Sequence, residues 1–299
     1  MSFKDILAKI LYYPIKYKNI LDIKRLYKSY EINNKKLDLI DMKPLGKTLV
    51  IIPHVDDETI GLGGLLVKNK QDNEKVDFIY MTDSGGSLKK GSENTKLIRK
   101  NEAFNLAKEL KINKIETLDV ENNNVEKFTD YAIEKLSNKI SKVNYKNLFI
   151  VSPFDAHPEH RWVNKVLYKV LKKSNFKGDI YLYEVSNLLP NSLINSYCKI
   201  DLNEKNKLYN IFESQKKAMD FNVFSKLNKY KGLSINENEP IEFYTKLSTK
   251  EYIKLLEIFK NINIEDIIPY RIGNHRSFYK VVNNEYKAQK SFDKLLNNF

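Results

Sequence analysis

Thr48-Leu49-Val50-Ile51-Ile52-Pro53-His54-Val55-Asp56-Asp57-Glu58 sets a β-branched apolar run directly against a cluster of imidazole and carboxylate side chains. The run suits a strand buried on both faces, as in a parallel sheet covered by helices. The cluster that follows would then sit at the carboxyl end of that strand, where open α/β sheets bind ligands.

The flanking sequence alternates in the same way. Residues 61–69 suit a helix and 75–81 a second strand. Ile98, Ala103, Leu106, Ala107 and Leu110 give 96–110 helical spacing. Strands are expected at 115–120, 147–151 and 179–185, with helices at 129–142 and 161–173. Strands alternating with helices predict an α/β fold, a Rossmann-like doubly wound and mostly parallel sheet in the order 3-2-1-4-5. In that order strands 1 and 4 are neighbours across the switch point. After strand 4 comes Asp155-Ala156-His157-Pro158-Glu159-His160-Arg161, so three of the four histidines fall at two strand ends that the fold should bring together.

Imidazole and carboxylate are good Zn²⁺ ligands, and a catalytic zinc keeps three protein ligands and one open position. The candidates are His54, Asp57 and His160. Two adjacent carboxylates diverge from the backbone, so one can bind metal while the other faces the attacking water; Asp56 is then the general base. Capping of helices is the bland reading of each residue taken singly. Gly61-Leu62-Gly63-Gly64 is not the dinucleotide-binding spacing, and these glycines are expected to allow close helix–sheet packing.

PHVDDE and HPEHR resemble the signatures of the LmbE-like (PIG-L) family of N-acetylglucosaminyl deacetylases, and the resemblance covers roughly residues 47–215. It implies zinc bound by His54, Asp57 and His160, Asp56 as general base, and His157 assisting the tetrahedral intermediate. Val55 and Glu159 depart from the usual Pro and Asp without removing a ligand. Arg99, Glu102 and Ala103 resemble the family's R-x-x-E-A helix start, which makes Arg99 a candidate for a sugar hydroxyl or phosphate oxygen, with a structural ion pair as the bland reading. Asp119, ending strand 3, is a candidate for sugar hydroxyls, with a turn residue as the bland reading. The implied activity is removal of an acetyl group from an N-acetylated amino sugar, with Zn²⁺ as cofactor and Fe²⁺ as the substitute. The alternatives are a metal-dependent amidase on a thiol–sugar or non-sugar amide, and a non-catalytic anion- or membrane-binding protein on the same fold. Asp155 and Glu159 are expected to orient the imidazoles.

The 299 residues are 42% hydrophobic and 30% charged, enough for one large solvated domain. Residues 1–45 read as a basic amphipathic helical segment, 46–220 as the deacetylase domain and 221–299 as an extension packing on it. In the first segment Phe3, Ile6, Leu7, Ile10 and Leu11 follow helical spacing, and Pro14 is expected to break or kink the helix. Helices are expected at 205–220 and 249–261, a polar loop at 228–239, and a hairpin with a basic helix from Pro269. A net charge of +13 favours anionic partners, although it is spread over a Lys-rich chain. No nucleic-acid motif accompanies it. Contact of residues 1–30 with an anionic membrane is one expectation and packing on the domain the other, so the substrate is a small or lipid-linked amino sugar. The single cysteine, Cys198, can form no internal disulfide, which fits a cytoplasmic protein, including one at the inner membrane face. His275 is expected to be a satisfied or surface residue, with contact from a C-terminal flap as the alternative.

Overall fold

The computed structural model describes residues 3–30, 37–40, 45–87, 93–216, 218–297 and 299. Its elements in chain order are α1 (Phe3–Ser29), β1 (Asp38–Leu39), β2 (Thr48–Ile52), α2 (Asp57–Lys68), β3 (Val76–Thr82), α3 (Glu93–Glu109), β4 (Lys114–Val120), α4 (Thr129–Lys142), β5 (Asn147–Val151) and α5 (Pro158–Leu171). Then follow β6 (Asp179–Tyr183), β7 (Ser196–Lys199), α6 (Leu202–Leu208), α7 (Phe221–Lys231), β8 (Ile241–Ser248), α8 (Thr249–Phe259), α9 (Ile264–Ile267) and α10 (His275–Leu296). Of the segment 1–45, residues 1, 2, 31–36 and 41–44 lie outside the described residues, as do the side chains of the apolar positions Phe3, Ile6, Leu7 and Ile10.

One eight-stranded sheet runs β1-β7-β8-β6-β5-β2-β3-β4. β2 pairs in parallel with β3 on one side and β5 on the other, Thr48 lying opposite both Val76 and Asn147. The chain moves outward through β3 and β4, then returns to place β5 and β6 on the opposite flank, so the reversal falls between β2 and β5. Every residue of β2, β3 and β5 is buried, and side chains alternate between the faces of a strand, so both faces are covered. α2, α6 and α7 pack successively on one another, as do α4, α5 and α8. Gly61 and Gly64 let α2 approach the sheet. A Cβ at Gly61 would lie 2.2 Å from the Tyr183 ring and one at Gly64 2.4 Å from Ile200 Cγ2, contacts that no side chain tolerates.

The C-terminal region differs from the sequence expectation. Residues 241–248, expected in an extension, form β8, which lies antiparallel between β6 and β7 inside the sheet. The expected polar loop at 228–239 is largely helical, since α7 runs to Lys231 and a 3₁₀ turn covers Gly232–Ile235. The helix expected at 205–220 is only α6 followed by two 3₁₀ turns. From Pro269 there is no hairpin among the described residues; α10 starts at His275, capped by Asn274 Oδ1 accepting from Arg276 and Ser277 amides. Pro14 does not break the first helix, because α1 continues through it to Ser29. Burial of Asn19, Ile23 and Tyr27 at four-residue spacing holds α1 against α10 and offsets the one lost backbone hydrogen bond. Leu11, expected on the apolar stripe, is exposed. No helix among the described residues is long and apolar enough to cross a membrane.

Candidate metal centre and its cavity

Both polar clusters emerge at the carboxyl ends of β2 and β5, on the two sides of the reversal. After β2 the chain turns sharply: Asp56 is the N-cap of α2 with φ 106°, a left-handed conformation that costs a non-glycine residue roughly 1–2 kcal/mol. That turn sends the Asp56 and Asp57 carboxylates in different directions. After β5, His157 is the N-cap of α5 and Pro158 its first residue, so Glu159 and His160 lie in the first helical turn. His157 Nδ1 accepts from the Glu159 amide at 3.3 Å, which leaves the ring's other nitrogen, Nε2, carrying the proton of the neutral form.

Three atoms meet in a near-equilateral triangle. His54 Nδ1 lies 3.1 Å from Asp57 Oδ2 and 3.2 Å from His160 Nε2, and His160 Nε2 lies 3.2 Å from Asp57 Oδ2. Tetrahedral zinc with bonds of about 2.0–2.1 Å spaces its ligand atoms by about 3.3–3.4 Å, so the triangle fits such an ion. Each imidazole is held from behind. His54 Nε2 faces Glu159 Oε2 at 2.5 Å, and His160 Nδ1 faces Asp155 Oδ2 at 3.0 Å. A carboxylate behind a histidine fixes its orientation and raises its basicity toward a metal. Asp155 is itself fixed by the His157 amide at 2.7 Å and the Ser186 amide at 2.9 Å. Ring nitrogens of His54, His157 and His160 also lie within 4.8 Å of one another, a second grouping that could hold an ion. The Asp57 set is the tighter of the two and supplies an anion to balance the cation.

The electrostatics fit a cation site. Burial disfavours charge on His160, yet Asp155 and Asp57 outweigh it and push the imidazole up to about 10. Burial would raise Asp57, but His160 and His54 hold it well below the usual carboxylate range. Asp56 behaves differently. Burial raises it, Arg99 pulls it down, Asp57 raises it again, and the balance is about 6. Burial, His54 and His160 lower His157 to about 3, so this ring is neutral near pH 7. The two neighbouring aspartates therefore differ: one is a fixed anion and the other is poised to exchange a proton.

Arg99 is 2% exposed, and its Nη2 lies 3.3 Å from Asp56 Oδ2 and donates to the Val55 carbonyl. The structure thus places Arg99 in the ion pair that was the bland reading, while leaving it on the cavity wall. Glu102 accepts from the Ser214 amide and hydroxyl at 2.8 and 2.7 Å, tying α3 to the turn before Gln215. Asp119 is not brought to the site. It lines a separate cavity with Lys96 and Lys100 and pairs with Lys100 Nζ at 3.2 Å. One extra residue in β4 explains this: Tyr80 opposes Thr117 but Thr82 opposes Val120, and Asp119 has φ 51°, so the bulge redirects the strand end. His275 is also outside the site, packed edge-on against Tyr12 and 3.3 Å from Asp220.

The cavity holds about 440 Å³ and is walled by Ser84, Gly86, Asn122, Asn123, Gln215, Met219 and Arg271. Sequence reasoning gave none of these a role at the site. Asn122 and Asn123 had one signal, the Glu159 substitution: the longer side chain accepts from Asn122 Nδ2 and the Asn123 amide, both at 2.6 Å, and so ties the loop after β4 to His54.

Comparison with known proteins follows this geometry. Residues 49–171 match the family described as PIG-L, GlcNAc-PI de-N-acetylase. A probable N-acetyl-alpha-D-glucosaminyl L-malate deacetylase 2 of Bacillus subtilis (strain 168) is 28% identical over 131 residues, 41% of this chain and 59% of that protein. The chain thus spans 59% of the length of that relative. The N,N'-diacetylchitobiose deacetylase of Pyrococcus horikoshii shares the fold with a TM-score of 0.58 at 19% identity, over 84% of this chain and 95% of that one. GalB, the 4-carboxy-2-hydroxymuconate hydratase of Pseudomonas putida KT2440, shares it with a TM-score of 0.54 at 14% identity, over 68% and 95% of the two chains. The fold therefore hosts more than one chemistry, and the segment that matches the PIG-L family, residues 49–171, runs from β2 to the last residue of α5 and encloses both polar clusters.

Proposed function

We propose that the protein is a metal-dependent hydrolase that removes the acetyl group from an N-acetylated amino sugar of the N-acetylglucosamine type. The observation that carries this reading is the triangle of His54, Asp57 and His160, closed to 3.1–3.2 Å, with Asp56 beside it in a cavity of about 440 Å³. Two imidazoles and one carboxylate suit zinc, with ferrous iron as the substitute. Such an ion, when bound, acidifies water and polarises the amide carbonyl.

Asp56 takes the proton as water attacks the acetyl carbon, and its pKa of about 6 matches that task near neutral pH. Arg99 holds the carboxylate in place through its 3.3 Å contact. A new C–O bond forms and the carbonyl oxygen becomes an oxyanion. His157 donates Nε2–H to it as a neutral ring. Asp56 then passes its proton to the amine nitrogen, the C–N bond breaks, and acetate and the free amino sugar leave. Arg271 on the rim suits a carboxylate or phosphate on the group attached to the sugar, in keeping with the malate named for the Bacillus subtilis relative. A chain with one cysteine, which needs no oxidising environment, suits work in the cytoplasm.

The test is acetate release from a panel of N-acetylglucosaminides, with chelator and after return of zinc. Release that stops with chelator and returns with zinc is expected. An absence of release with every metal, or release indifferent to chelator, overturns the reading.

A further inference from the structure

Two helices carry most of this protein's net charge. α1 holds seven Lys or Arg against two Asp, and α10 holds five against Glu285 and Asp293, so together they contribute +8 of the chain's +13. They pack side by side. Asn19 Nδ2 donates to the His275 carbonyl at 2.8 Å, and the Tyr30 hydroxyl donates to Glu285 at 3.2 Å. With Ile23, Tyr27 and Phe278 buried inward, Lys18, Lys24, Arg25 and Lys28 of α1 and Lys287, Lys290 and Lys294 of α10 are exposed to solvent. At the seam Lys18 Nζ sits 5.0 Å over the Tyr279 ring.

The same face is apolar where it is not cationic. Tyr13, Tyr17 and Leu21, four residues apart on α1, are 73%, 66% and 37% exposed, and Tyr286 on α10 is 70% exposed. An apolar stripe beside cations is what the boundary between headgroups and acyl chains accepts. A dissolved polyanion would meet the cations and leave the stripe in water, so the pairing favours a bilayer. The face also adjoins the entrance to the site. Met219 lines both the histidine cavity and a second groove of about 420 Å³, and that groove reaches Tyr12 on α1.

We propose that the α1–α10 face docks the protein on an anionic lipid bilayer, beside the groove that shares Met219 with the histidine cavity. Docking does not rest on the hydrolase reading. Docked lysines contribute about 1 kcal/mol each near an anionic surface, and the tyrosines anchor the helix at headgroup depth.

The full chain is sedimented with vesicles of phosphatidylcholine alone and of phosphatidylcholine mixed with phosphatidylglycerol. Binding is expected only to the mixed vesicles. Changing Lys287, Lys290 and Lys294 together to Gln should weaken it roughly 100-fold, about 1 kcal/mol for each charge. Tyr13→Ser with Tyr17→Ser should weaken it roughly tenfold through lost apolar burial. All five side chains are exposed, so thermal unfolding should not move, and the two variants lie on different helices. Equal pelleting with both vesicles, unchanged pelleting of both variants, or retention on heparin without pelleting on mixed vesicles overturns the proposal. Acetate release from a water-soluble N-acetylglucosaminide is measured alongside. A chain that pellets but releases no acetate defeats the hydrolase reading alone, and one that releases acetate but ignores vesicles defeats docking alone.

Discussion

The floor and the rim of the cavity are built on opposite plans. The floor, His54 to Asp57 and Asp155 to His160, is fixed to two central strands and cross-braced by carboxylates that themselves accept backbone amides. The rim comes from four separate connections, around Ser84, Asn122, Gln215 and Arg271; Asn123 and Arg271 on it are exposed, while Ser84 and Gln215 are buried. A rigid floor suits positions that must hold an ion and a base to within tenths of an ångström. A rim of loops can vary in shape while the chemistry below stays the same. Floor variants should therefore change turnover or metal affinity, and rim variants should change substrate affinity.

The sharpest break is Asp56→Asn. It should lower kcat about 10²- to 10⁴-fold, the usual worth of a general base, while zinc binding by equilibrium dialysis stays intact. A kcat within tenfold of the parent would remove Asp56 from the floor's chemistry. Next is Glu159→Gln, which weakens the support behind His54 and should cost about 10- to 100-fold in zinc affinity by competition with a chelating dye. Unchanged affinity would make Glu159 a brace for Asn122 and Asn123 only. On the rim, Arg271→Ala should raise KM about tenfold for an acidic N-acetylglucosaminide with little change in kcat, since one charged hydrogen bond contributes about 1.5–3 kcal/mol. A fall in kcat instead would erase the distinction between the regions.

Glu285, which lines neither, should leave turnover unaffected and alter stability alone. Burial pushes its carboxyl up to about 7, against the hydrogen bonds from Gln289 and Tyr30. The folded state therefore keeps a proton that the unfolded chain releases near pH 4.5. The contribution is complete below that pH and is lost as pH rises through about 7, a difference of roughly 3 kcal/mol. Glu285→Gln keeps the hydrogen bonds and removes the ionisation, so its urea midpoint should exceed the parent's at pH 8 and match it at pH 4. Equal midpoints at both would show that Glu285 stays neutral throughout.

The floor was legible in the sequence because its elements carry strong local signals. Val50, Ile51 and Ile52 announce a doubly covered strand, and three of the four histidines fall just after it and after the strand at 147–151. The C-terminal half was not, because tertiary pairing overrides the local pattern there. β8 carries Glu242, which reads as a surface residue but is 1% exposed, accepts from the Gly64 and Leu65 amides at 2.8 and 2.9 Å, and pairs with the buried Lys205 at 2.6 Å. Asp119 was misread because a bulge, invisible in residue types, turned the end of β4. Arg271 has no motif around it; only the folded chain brings it over the histidines.

The place of β8 has a consequence for how the chain is made. During synthesis β6 emerges with one edge paired to β5 and the other bare, and its partner lies beyond residue 240. At roughly 5–20 residues per second, that edge stays open for several seconds while α6 and α7 are added. A chain stopped at residue 220 would keep it open permanently and would also leave Lys205 without Glu242, so shortened forms ending there should accumulate as aggregates.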